Sequence, residues 1–143
     1  MQINCETFQT WDNRGIGVRI CRTVPAGTLV LAYTGDLIRG KRLAESRERM
    51  RNENGTPGYM MFFSWRRMTW AIDATDSTHM SRFINHSRRN ANLVPFVLAD
   101  PDHPTQPTIL FRSTRKIACG EELLFDYGDR CPESVVNCPW LLE

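Results

Sequence analysis

The stretch GEELLFDYGDR, Gly120–Arg130, ends an apolar run on a tyrosine set between two aspartates, with Phe125 two residues before it. Two readings compete for Tyr127. It is the end of a buried strand running into a turn, or it is a catalytic tyrosine whose neighbour, Phe125, shapes the pocket. The local pattern fits both, so the rest of the chain has to decide.

At 143 residues, with 41% hydrophobic and 24% charged side chains, the chain has the composition of one globular domain, 1–143, able to bury a core. No apolar run approaches the roughly 20 residues that cross a bilayer, and the N-terminus is not a signal peptide, which predicts a soluble protein without a membrane partner. Net charge is only +2 but uneven. Residues 1–70 hold 11 Lys/Arg against 6 Asp/Glu, and residues 71–143 hold 7 against 10. The basic excess gathers in Arg39, Lys41, Arg42, Arg47, Arg49 and Arg51. That stretch suits either non-specific DNA contact or, more commonly, a solvated helix face, and the acidic second half suits a basic substrate. Five cysteines, Cys5, Cys21, Cys119, Cys131 and Cys138, lack metal-ligand spacing and read as reduced thiols with no metal.

Outward from the opening stretch, the pattern predicts short strands at Val18–Cys21 and Leu29–Tyr33, and a strand pair in YMMFF and TWAIDA. NLVPFVLAD and TILFRSTR form a second pair across a proline-rich loop, and EELLFD a last strand. DLIRGKRLAESRERMR, 36–51, reads as a helix with Leu43 and Met50 a heptad apart, and ESVVNCPWL as a short terminal helix. The sum is a β-rich α+β domain.

Four features hold candidate chemistry. In RGIG, Gly15 and Gly17 form an ordinary turn or let a ligand approach the backbone. RFINHS places Asn85 and His86 after an apolar pair. It is a structural hydrogen-bonding unit or a functional one, but His86 lacks the partnered nucleophile of a hydrolase. Tyr33, Tyr59 and Tyr127 are the only tyrosines, each at a strand end, and Trp140 sits in the terminal CPWLL. Buried tyrosines and tryptophans are ordinarily core residues.

Together, RGIG, RFINHS and GEELLFDYGD resemble the SET-domain protein lysine methyltransferases over about residues 13–140. The resemblance implies a SET-domain fold of several short sheets. Its core spans about 13–130 and its closing segment 131–143. The C-terminal strand threads past N-H-S in a pseudoknot, bringing Tyr127 beside Asn85. It implies S-adenosylmethionine as cofactor and S-adenosylhomocysteine as product, held by Arg14, Gly15, Ile16 and Gly17 through the main chain, by Asn85 and His86, and by Trp140 over the adenine. Tyr127 matches the catalytic tyrosine, and Tyr33 and Tyr59 match the lysine channel.

YTGDLI, IDAT, GEELLFDYGDR and PWL are most similar to the subgroup that monomethylates a lysine of histone four on nucleosomes. N-H-S continues into Arg88, and only Cys131 and Cys138 follow Tyr127, so a terminal helix and Trp140, rather than zinc, are expected to close the site. The subgroup carries tyrosine where this chain has Phe125, a position that acts across the family as a switch for product multiplicity. Phenylalanine there implies di- or trimethyl-lysine. The partners implied are a histone tail or nucleosome, with the chain a monomer in the nucleus. Asp129, Glu121, Glu122 and Glu133 are candidates to meet a basic peptide. The competing reading is a module that binds protein or nucleic acid without turnover, and retention of N-H-S and Tyr127 favours the enzyme.

Overall fold

The computed structural model describes residues 3–12, 14–55 and 59–127. The chain passes back and forth between two compact units, one of Met1–Ala32, Phe83–Phe96 and Leu110–Glu143, the other of Tyr33–Arg82 and Val97–Ile109.

The first unit begins with an antiparallel ribbon, β1 (Cys5–Gln9) on β2 (Ile16–Ile20), in register from Cys5↔Ile20 to Gln9↔Ile16. β1 has no clean period-two burial, which is why its sequence gives no strand signal. The free edge of β2 takes up the start of GEELLF. Gly120 N donates to Ile20 O, Ile20 N to Glu121 O, and Leu123 N to Val18 O, at 2.8–3.1 Å. Val18, Ile20 and Leu123 are fully buried, each contributing about 1.5–3 kcal/mol by leaving water, so this pairing has an apolar anchor.

The second half of the same stretch does something different. Strands β3 (Leu29–Ala32), β7 (Asn85–His86), β8 (Leu93–Ala99), β9 (Pro107–Ser113) and β10 (Leu124–Phe125) form a sheet in the order β3-β9-β8-β10-β7. The two-residue β10 is inserted parallel between β7 and β8, with Leu124 opposite Asn85 and Phe125 opposite both His86 and Leu93. So short a strand needs a pin, and Asn92 supplies it. Its buried side-chain Oδ1 accepts Leu124 N, its backbone N donates to Leu124 O, and its Nδ2 donates to Glu122 O, at 2.8–2.9 Å. Oδ1, Nδ2 and the backbone N–H of Asn92 all serve this one junction, while its carbonyl accepts from Thr114 N.

The second unit is an antiparallel sheet, β4 (Asp36–Arg39), β5 (Met60–Trp65) and β6 (Met68–Asp73) in the order β4-β6-β5, with helix α1 (Lys41–Glu53). The β5–β6 hairpin turns at Arg66 and Arg67, both at positive φ, as a tight two-residue connection demands.

The helix expected over 36–51 is corrected at its start, since Asp36–Arg39 pairs with Asp73–Trp70 as a strand. Its buried face is corrected too. Leu43 and Met50 are 63% and 41% exposed, whereas Ala44 is buried in a cluster with Ile38 and Ala71. Arg47 and Arg51 follow Ala44 at the third and seventh positions, hence on its face. They are drawn there by a carboxylate, Asp73 (Arg47 Nη1–Oδ2 3.1 Å, Arg51 Nε–Oδ2 2.9 Å). The buried Asp73 carboxylate and its two partly exposed arginines, not an apolar stripe, orient this helix. The predicted terminal helix and Trp140 lie outside the described residues, as do Cys131, Cys138, Asp129 and Glu133.

Candidate active site

In the first unit the site grows from the turn before β2. Gly15 adopts φ +79°, and its carbonyl accepts from Thr10 N, Thr10 Oγ1 and Gln9 Nε2 at 2.6–3.1 Å. The carbonyl is thus fully engaged in holding the turn. Gly17 needs its missing Cβ for another reason. A Cβ there would lie 2.6 Å from Glu122 Oε2, 3.1 Å from Phe8 and 3.2 Å from Asn85 Nδ2. The space over Gly17 is filled by a carboxylate of the chain itself.

Glu122, its side chain 14% exposed, joins three segments distant in sequence. Arg14 grips it in a two-point pairing, Nη2–Oε1 2.7 Å and Nη1–Oε2 3.1 Å, and its Nε also pairs with Asp12 at 2.8 Å. Asn85 Nδ2 donates both to Glu122 Oε2 (3.0 Å) and to Ile16 O (3.2 Å). Ile16 itself is 43% exposed, an apolar side chain left open beside these polar groups. Glu121 turns instead to Arg115 and the Ala118 amide. Glu121 and Glu122, two of the four acids expected to meet a peptide, are therefore engaged within the unit.

We expect Gly17→Ala to push the Glu122 carboxylate off its seat, at a cost of about 1–3 kcal/mol, the usual range for an overpacked site. Thermal unfolding measures this. In a Glu122→Ala background the same change should cost much less, because the atom it strikes is gone.

The N-H-S segment and the opening stretch meet at Tyr127. Its amide donates to His86 Nδ1 at 3.0 Å, so the ring proton belongs on Nε2. Asp126 Oδ1 stands farther off, at 3.9 Å from the same nitrogen. The Tyr127 hydroxyl donates to Ile84 O at 2.8 Å, and its ring lies edge-on to His86, with centroids 5.0 Å apart. Phe125, almost fully buried, packs on Phe111 (4.8 Å) and on Tyr127 (4.6 Å). Tyr127 is brought to Ile84 and His86, while the Asn85 side chain turns to Ile16 and Glu122.

In the second unit Tyr33 is buried and donates its hydroxyl to Tyr59 O at 3.1 Å. Burial, reinforced by Asp73, pushes the Tyr33 phenol far above its ordinary value, so it remains a neutral donor. Arg82 lies over the Tyr59 ring at 5.1 Å and donates to Thr75 O. Tyr33 and Tyr59 are thus neighbours, steadied by one cation. Sequence reasoning missed Glu122 and Asn92 as builders of the site. An acid beside LLF reads as a strand-end surface charge, and nothing local reveals a partner over a hundred residues away.

Among the described residues, no group of three or more His, Cys, Asp or Glu is placed to hold a metal. The polar set is an acceptor oxygen on Asn85, a donor on His86, a strand edge at Ile16 and an exposed apolar side chain. That combination suits a ligand that offers a hydrogen-bond donor and an apolar face.

Comparison with known proteins follows the same line. Residues 15–128 match the SET domain family. The chain is 35% identical over 132 residues to histone-lysine N-methyltransferase set-1 of Caenorhabditis elegans, covering 91% of this chain and 53% of that protein. It is also 35% identical over 144 residues to histone-lysine N-methyltransferase Set8 of Drosophila melanogaster, covering 99% and 20%. The crystal structure of CpSET8 from Cryptosporidium superposes with a TM-score of 0.81 at 33% identity, over 92% of this chain and 60% of that one. The chain spans less than two thirds of each of these relatives.

Proposed function

This chain belongs to the SET-domain family, and from that premise we propose that it is an S-adenosylmethionine-dependent lysine methyltransferase acting on a histone. The observation that carries the reading is the parallel seating of β10 on β7, which sets Tyr127 against His86 and Ile84, one residue from Asn85. On this reading the cofactor, when bound, supplies a methyl group on a sulfonium, and the chain does the rest. Arg14 and Gly15 in the turn and Ile16 and Gly17 at the start of β2 would offer it main-chain contacts, and Asn85 and His86 would bind its polar parts, while Trp140, which the resemblance assigns to the adenine, lies outside the described residues.

Free lysine titrates near about 10.4, so the amine has to lose its proton before it can attack. Desolvation of the amine against the aromatic rings of Phe125 and Tyr127 disfavours the ammonium. The Tyr127 hydroxyl donates to Ile84 O, which fixes the direction of its O–H bond. On this reading its oxygen orients the amine and holds the polarised methyl through C–H···O contacts, and alignment supplies most of the acceleration.

The test is transfer of labelled methyl from S-adenosylmethionine to nucleosomes and free histones, with mass-spectrometric mapping of the lysine. A folded protein that binds S-adenosylhomocysteine yet labels no histone lysine would overturn the substrate. The partners on this reading are a histone tail or nucleosome, met by a monomer in the nucleus. DNA contact through 39–51 would rest on Arg39, Lys41, Arg42 and Arg49, since Arg47 and Arg51 are turned to Asp73.

Multiplicity follows from Phe125. Its ring is packed on Phe111 and Tyr127 and brings no hydroxyl to hold a space-filling water. We expect wild type to build di- or trimethyl-lysine and Phe125→Tyr to stop at monomethyl-lysine, read by mass spectrometry of products over time. Wild type stalling at one methyl on a good substrate would refute this.

A further inference from the structure

We propose that Glu122 is a positioning residue that, through Asn85, fixes which end of the cofactor's amino-acid part the site accepts. The inference deepens the methyltransferase reading and rests on it. Three observations converge. Asn85 Nδ2 spends both its hydrogens inside the unit, one on Ile16 O and one on Glu122 Oε2. An amide has two nearly isosteric faces, and only its partners decide which is presented. With Nδ2 tied down by two acceptors, Oδ1 is the atom left to meet a ligand.

The second observation is charge. A carboxylate next to a cofactor site would repel the cofactor's own carboxylate, and an arginine would attract it. Arg14 and Glu122 pair at two points, and Arg14 also holds Asp12, so the guanidinium is consumed rather than offered. The surroundings of Asn85 thus favour a donor on the ligand. A zwitterionic amino acid has one such group, the ammonium.

The third is the fit over Gly17. The Glu122 carboxylate sits 2.6 Å from where any other residue at 17 would place a Cβ, so the turn of RGIG, Asn85 and the start of GEELLF are packed together. Glu122 need not touch the cofactor. It holds the amide that does.

The experiment compares binding of S-adenosylhomocysteine and of its analogue lacking the α-amine, by calorimetry, to wild type and Glu122→Gln. Glutamine keeps the size but cannot accept from Asn85 and Arg14 together without presenting a hydrogen to one of them. The variant should lose about tenfold in affinity for S-adenosylhomocysteine, one charge-assisted bond, and little for the deaminated analogue. A second variant, Asn85→Asp with Glu122→Gln, restores a donor–acceptor pair with the roles exchanged. It should bind S-adenosylhomocysteine more tightly than Asn85→Asp alone, a rescue that generic loosening of the fold would not produce. Equal losses for both ligands, or no rescue, would overturn the role of Glu122 while leaving the methyltransferase reading intact. Wild type that binds neither ligand would overturn both.

Discussion

Tyr127→Phe is expected to slow methyl transfer by about 10²–10³-fold, the usual consequence of removing one preorganised polar group at a reacting centre. The packing surface survives the change. Phe125 and His86 hold the ring at 4.6 and 5.0 Å between centroids, and a phenylalanine fills the same space. The backbone link also survives, because His86 Nδ1 accepts the residue-127 amide whatever its side chain. What disappears is an oxygen whose own hydrogen is fixed on Ile84 O. That carbonyl belongs to a buried residue, so losing its donor should cost about 1–3 kcal/mol of stability as well. Single-turnover methyl transfer and a titration with S-adenosylhomocysteine separate the two effects. The rate should collapse with affinity near that of wild type, and an unchanged rate would reduce Tyr127 to a packing residue.

That prediction depends on a contact no local pattern could announce. β7 and β10 are two residues long each, and two residues have no period. Their parallel pairing rests on Asn92, a buried side chain whose partners lie about thirty positions downstream. The segments were legible as motifs, therefore, while the reason they meet was not. The β5–β6 and β8–β9 strands were legible because their apolar runs are long. β5 and β6 were legible even though Arg66 and Arg67 turn at positive φ with no glycine or asparagine between them. There the aromatic neighbours compensate, with Arg66 stacked over Trp65 and Trp65 edge-on to Trp70. Helix α1 failed in the opposite way. Leu43 and Met50 made an apolar face that the fold does not use, because Asp73 had prior claim on the arginine face.

Asp73 should therefore dominate the stability of the second unit. Its side chain is fully buried, and each oxygen has two partners. Thr75 N and Thr75 Oγ1 donate to Oδ1 at 3.0 and 2.6 Å, while Arg47 and Arg51 donate to Oδ2. Removing one member of a buried ion pair costs about 3–5 kcal/mol, and the partial exposure of both arginines lowers the expectation for Asp73→Ala to about 2–4 kcal/mol. Asp73→Asn should do little better, since an amide that satisfies Thr75 turns its own hydrogens toward two guanidinium groups.

The acid limb supplies an independent check. Burial alone would raise the Asp73 carboxyl, but the Thr75 hydrogen bonds and the Arg51 and Arg47 pairings outweigh it and hold the group below its ordinary value. A carboxylate depressed in the folded state stabilises fully above its unfolded value of about 3.9, and that stability is lost as pH falls through the folded value. Wild type should thus lose stability in the acid range below about pH 4, and Asp73→Ala, already without this group, should lose less over the same interval. Denaturant unfolding of both proteins across that range measures the difference. Parallel acid limbs would mean that the two arginines draw nothing from Asp73, and helix α1 would then need another reason for the face it buries.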